Sequence, residues 1–89
     1  MATRQEVYGA LDSERAYQDS VWGGDHHDTA KNVEAWLVYM KVYLDKAFDQ
    51  ITAEPNEIAI PKAMHTIRKV SALGVAAMEV LGAHRREGF

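Results

Sequence analysis

The chain has 89 residues, enough for one small domain whose core is marginal unless something reinforces it. It contains no cysteine, which excludes disulfides and thiolate metal sites, while 47% hydrophobic residues are ample for a folded core. A net charge of −3 and a pI near 5.7 give no overall attraction to nucleic acid.

No apolar run approaches about 20 residues, and the first residues lack the apolar stretch of a signal peptide. The expectation is a cytoplasmic protein without a membrane partner. The one basic cluster, Arg85-Arg86 beside His84, reads as a solvated tail.

Thr3 followed by Glu6 has the spacing of a capping box, in which hydroxyl and carboxylate each satisfy a free amide. Val7, Leu11, Val21 and Trp22 then fall on one helical face, so a first helix is expected over about 4–22, stopped by Gly23-Gly24. From Gly23 to Lys31 the chain is a polar loop, and Thr29 or Asn32 can cap the next helix.

The second helix is expected over about 33–51. Its stripe is Val33, Trp36, Leu37, Met40, Tyr43, Leu44, Ala47 and Ile51, with Val38 and Val42, near Tyr39, as a second apolar strip. Two apolar faces imply two partners. A loop over 52–57 contains Pro55, and Pro61 suits the first turn of a third helix over 61–81, ending at Gly82.

The third helix has a main stripe of Ala63, Met64, Ile67, Val70, Ser71, Gly74, Val75, Met78 and Leu81. Ala72, Leu73, Ala76 and Val80 make its other side apolar too. Ser71 and Gly74 permit close helix approach, although glycine in mid-helix costs about 1 kcal/mol against alanine. The reading is all-α: three helices in an antiparallel bundle, completed by homo-oligomerisation as a dimer or tetramer, most simply about a twofold axis.

Few residues point to chemistry. Glu14 and Gln18 fall in the middle of the first helix's apolar stripe, where polar groups need partners. Either Glu14 joins a structural network with an arginine or tyrosine, or the pair lines a pocket and meets a ligand. Asp25-His26-His27-Asp28 has metal-ligand residue types, but adjacent histidines without His-x-x-x-His spacing read as a solvated loop. His65 and His84 are isolated, and Ser71 lacks a Gly-x-Ser-x-Gly context. Trp36, Met40, Tyr43 and Met64 read as core rather than as a base-stacking platform.

Ser-Glu-Arg-Ala-Tyr-Gln-Asp-Ser-Val-Trp-Gly, residues 13–23, resembles the opening of small phage-type MazG-like proteins, which read Glu-Arg-x-x-Gln-x-x-x-Trp-Gly before a polar loop with His and Asp. Glu34-Ala-Trp-Leu resembles their next helix start, and residues 70–79 resemble their final small-residue helix. The resemblance implies an all-α oligomer, in a superfamily whose enzymes cleave nucleoside triphosphates to monophosphate and pyrophosphate. Those enzymes hold magnesium with Glu-Glu-x-x-Glu on one helix and Glu-x-x-Asp on the next. An ungapped placement puts these motifs at Val42, Tyr43 and Lys46, and at Thr66 and Lys69. None of the five is a carboxylate, and these groups cannot hold a divalent cation.

The resemblance therefore implies non-hydrolytic binding, as in sequestration, of a nucleotide or related phosphorylated small molecule, with no catalytic residue, metal or cofactor. Glu14 and Gln18 would read the base or ribose, Trp22 and Tyr43 would give apolar or stacking surface, and Lys46, Lys69 and Arg68 would meet phosphate. One alternative is an active magnesium-dependent pyrophosphohydrolase using Glu14, Glu34, Asp45 and Glu79. The other is a structural or protein-binding helical module with no pocket.

Overall fold

In a computed structural model, which describes residues 1–23 and 31–88, the chain is helical, with no strand among the described residues. Three helices account for most of it: α1 (Arg4–Trp22), α2 (Val33–Ala53) and α3 (Asn56–Leu81). A short 3-10 turn, Arg86–Gly88, follows. Among the described residues, no helix is long and apolar enough to cross a membrane.

Local chemistry sets most of these boundaries. Thr3 Oγ1 accepts from the Glu6 amide at 3.1 Å while Glu6 Oε1 accepts from the Thr3 amide at 3.1 Å, completing the capping box. Those bonds, first the Thr3 backbone amide and then its side chain, hold the Glu6 carboxyl below its ordinary pKa. A lowered folded-state pKa means stabilisation that is present above the unfolded value and lost as pH falls through the folded one. Thr3→Ala is expected to destabilise the chain by about 1 kcal/mol and to weaken this acid dependence only in part, because alanine keeps the backbone amide, both read from urea unfolding at neutral and acidic pH.

At the other end of α1, Gly23 adopts φ 82°, and its amide donates to Asp19 O at 3.1 Å. Asn32 caps α2 by accepting from the Ala35 amide at 2.9 Å.

The third helix begins earlier than its proline suggests. Pro55, not Pro61, stands at the boundary, its carbonyl accepting from Ile58 and Ala59 at 3.0 and 2.8 Å. Pro61 therefore lies inside α3, where it lacks the amide that would bond the Glu57 carbonyl. Burial outweighs that loss, since Ala59, in the turn before Pro61, is completely buried. The expected 52–57 loop shrinks to Glu54-Pro55, and Lys62 Nζ ties it down through both Glu54 oxygens at 2.8 and 3.1 Å.

Both other helices pack on α3. Trp36, Leu73 and Ala76 are the buried centre, with Trp22, Met40, Tyr43, Ala77 and Val80 packed around them. On α3 the buried side is Ala59, Ala63, Thr66, Ala72, Leu73 and Ala76. Much of the expected main stripe, including Met64, Ile67, Ser71, Met78 and Leu81, is instead exposed. The reason is size: alanines let the neighbouring helices come close, whereas the larger side chains are left outside. Similarly, α2 buries Trp36 and Ala47 and half-buries Met40 and Tyr43, leaving Leu37, Leu44 and Ile51 exposed. On α1, Val7 and Val21 are exposed, and the buried residues are Glu14, Arg15 and Gln18.

Candidate functional site

The polar face of α1 meets α3 through a network of charged and amide groups. Glu14 and Gln18 are four residues apart on the inner face, 5% and 1% exposed. Glu14 Oε1 accepts from Arg68 Nε at 2.8 Å. Gln18 Nε2 donates to the Lys69 carbonyl at 3.3 Å, and Gln18 Oε1 accepts from Arg15 Nη1 at 3.0 Å. Arg15, itself 7% exposed, also reaches Asp19 Oδ1 through Nη2 and Glu79 Oε1 through Nε, each at 2.9 Å. A planar guanidinium presents five donors in a fixed fork, which suits it to join three acceptors on two helices.

Of the two roles open to Glu14, the network describes its placement, and both ends of the Gln18 amide are likewise bonded within the protein. Both side chains are thus bonded within the protein, and Glu14 also lines the cleft beside them.

Beside this network lies an open cleft of about 420 Å³, lined by Ser13, Glu14 and Tyr17 of α1 and His65, Arg68 and Lys69 of α3. Helical spacing sets both walls, since residues three and four apart share a face. Arg68 Nη2 donates to His65 Nδ1. A guanidinium can only donate, so the imidazole nitrogen is the acceptor of this bond. The Glu14 carboxylate on this wall is already bonded to Arg68, and the rim carries two cations and an imidazole.

A second recess of about 160 Å³ is lined by Trp22, Lys31, Tyr39, Tyr43 and Leu73. Lys69 Nζ lies 4.8 Å from the Tyr43 ring centroid, and Lys31 Nζ lies 4.9 Å from that of Trp36. The residues expected to form one site are thus divided. Glu14, Arg68 and Lys69 share the first cleft, Trp22 and Tyr43 share the recess, and Lys69 bridges the two by reaching over Tyr43. Lys46 is exposed on α2 and lines neither.

The positions at which the MazG-like motifs would fall hold neutral and cationic side chains, of which Val42 and Lys46 are exposed. Tyr43 lies under the Lys69 ammonium, and Thr66 Oγ1 donates to Gln50 Oε1 at 3.1 Å. Three carboxylates of the hydrolase alternative have cationic partners: Glu14 pairs with Arg68, Glu79 with Arg15, and Asp45 with Lys41 at 3.0 Å. Among the described residues no three His, Asp or Glu side chains are grouped to hold a metal ion. The Asp25-His26-His27-Asp28 segment lies outside the described residues.

Ser13, Arg15, Tyr17 and His65 are the site residues that sequence reasoning passed over. Arg15 and Asp19 at i,i+4, and His65 and Arg68 at i,i+3, carried a detectable spacing signal. Nothing in the sequence of α1 alone shows that Arg15 would turn inward to Glu79. The chain matches no protein-family model, no curated protein and no solved structure.

Proposed function

We propose that the chain, as a homo-oligomer, binds a nucleotide or related phosphorylated small molecule in the α1–α3 cleft without hydrolysing it. The observation that supports this most is the adjacency of Arg68 and Lys69 on a cleft whose one carboxylate, Glu14, already has a cationic partner. An entering phosphate meets the Lys69 ammonium beside the Glu14–Arg68 pair, a wall of net charge +1 on which the carboxylate is already bonded. Arg68 is held in place by Glu14 and His65, which lowers the conformational cost of accepting an anion. The exposed Tyr17 ring is the stacking surface in the same cleft, a role the sequence had given to Trp22 and Tyr43. The MazG-like pattern of residues 13–23 adds to the reading, because it is α1 that supplies one cleft wall.

Isothermal titration with a panel of nucleoside mono-, di- and triphosphates and cyclic dinucleotides tests the proposal. Binding is expected at sub-millimolar concentration, weakened about tenfold or more by Lys69→Ala, since one charge-assisted contact contributes about 1.5–3 kcal/mol. No pyrophosphate release is expected with magnesium present. A panel with no binder at sub-millimolar ligand contradicts the proposal.

A further inference from the structure

We infer that α3 carries a self-association seam, on which the α3 of a second copy docks antiparallel about a twofold axis. The seam is Ile60, Met64, Ile67, Ser71, Met78 and Leu81; Gly74, half-buried beside Met40 of α2, completes an alternation of four- and three-residue steps along the helix. That alternation is the heptad pattern by which one helix presents a continuous face to another. Its five large members are between 41% and 54% exposed, so among the described residues about half of this face is left uncovered.

The surroundings extend the face. On one side Val7, Ala10 and Leu11 of α1 border a groove that reaches Met64 and Ile67. On the other, Ala47, Phe48 and Ile51 of α2 border a wholly apolar groove against the same two residues. A docked helix therefore meets a ridge with a wholly apolar trough on the α2 flank and, on the α1 flank, a trough that Glu6, His65 and Arg68 also line.

Area and sequence both favour a second copy as the occupant. The chain exposes 6790 Å² at a mass of 10.0 kDa. A compact monomer of that mass exposes about 5,200 Å², which leaves an excess of roughly 1,500 Å². Each subunit of a stable dimer buries about 800 Å² or more, so the excess is larger than one such interface needs. The seam is also self-compatible. Antiparallel pairing sets Ser71 against the partner's Gly74, Ile67 against the partner's Met78, and Met64 against the partner's Leu81. Small residues meet at the axis, where the helices must approach closely, and large ones fill the space on either side. No seam residue is charged, so nothing in it repels its copy.

The inference rests on the self-association in the reading above and is independent of the ligand. The test is sedimentation velocity on the full chain at micromolar concentration, combined with cysteine pairing, which the cysteine-free sequence allows. The expected species has twice the chain mass, and Ser71→Arg converts it to monomer while far-ultraviolet dichroism stays helical. Tyr8→Arg, on the exposed side of α1, leaves the dimer intact. Under mild oxidation Met64→Cys with Leu81→Cys is expected to cross-link between chains, whereas Met64→Cys alone is not. A monomeric wild-type chain overturns both the seam and self-association. A wild-type oligomer that S71R leaves intact overturns the seam while self-association stands, and efficient cross-linking of M64C alone overturns the antiparallel pairing.

Discussion

Trp36→Ala is expected to remove a large share of the chain's stability. Trp36 is the largest side chain at the buried centre, which it shares only with Leu73 and Ala76 among fully enclosed apolar residues of that cluster. Truncating such a side chain costs about 3–5 kcal/mol, and a domain of this size has only about 5–10 kcal/mol in all. The loss corresponds to a fall in Tm of at least about 12 °C. Trp36→Phe is expected to cost much less than the truncation. It keeps most of the buried apolar surface and removes an indole N–H that is buried without a hydrogen-bond partner among the described residues. Leu37→Ala, one residue along on the exposed face, is the contrast and is expected to change stability by less than about 1 kcal/mol. Thermal and urea unfolding followed by far-ultraviolet dichroism reads all three. Equal losses for Trp36→Ala and Leu37→Ala would contradict this placement of the core.

The second large effect concerns Arg68. Removing it strands the Glu14 carboxylate at 5% exposure. Breaking a fully buried pair costs about 3–5 kcal/mol, but the Arg68 side chain is 37% exposed and water can partly replace it, so about 2 kcal/mol is expected. Glu14→Gln combined with Arg68→Ala should recover much of that loss, because no charge is then left unpaired. A double-mutant cycle measures the coupling directly. Ligand affinity separates the two roles. Arg68→Ala should weaken nucleotide binding, whereas Glu14→Gln, which frees an Arg68 donor, should not. Loss of binding in Glu14→Gln would return that carboxylate to the ligand.

The legible parts of the fold were those with local causes. Thr3 with Glu6, Gly23 and Asn32 set helix ends through bonds closed within four residues, and their spacing announces them. The third helix start was hidden because Pro55 and Pro61 are equally good local stops, and only the burial of Ala59 decides between them. Apolar stripes were visible, but not which one faces inward. On α3 the alanine side packs and the Met64–Ile67 side is exposed, a choice made by how closely neighbouring helices can approach.

The candidate site divides in the same way. The inward position of Glu14 and Gln18 followed from the 100° helical step, and the arginine partner of Glu14 was one of the two roles foreseen. Lys46 and Lys69 share a pattern in sequence but not a cleft, because Lys69 reaches Tyr43 while Lys46 lies exposed on α2. Arg15 could not be placed without knowing that Glu79, 64 positions away, lies opposite it.

The central claim is that the cleft between α1 and α3 receives a phosphorylated ligand. Amide and side-chain chemical-shift mapping of the isotope-labelled chain, titrated with inorganic pyrophosphate and then with the tightest nucleotide of the panel, tests it most directly. Saturable shifts are expected at Ser13, Tyr17, His65, Arg68 and Lys69, with Lys46 unmoved. Shifts confined to other surfaces, or none at millimolar ligand, would contradict it.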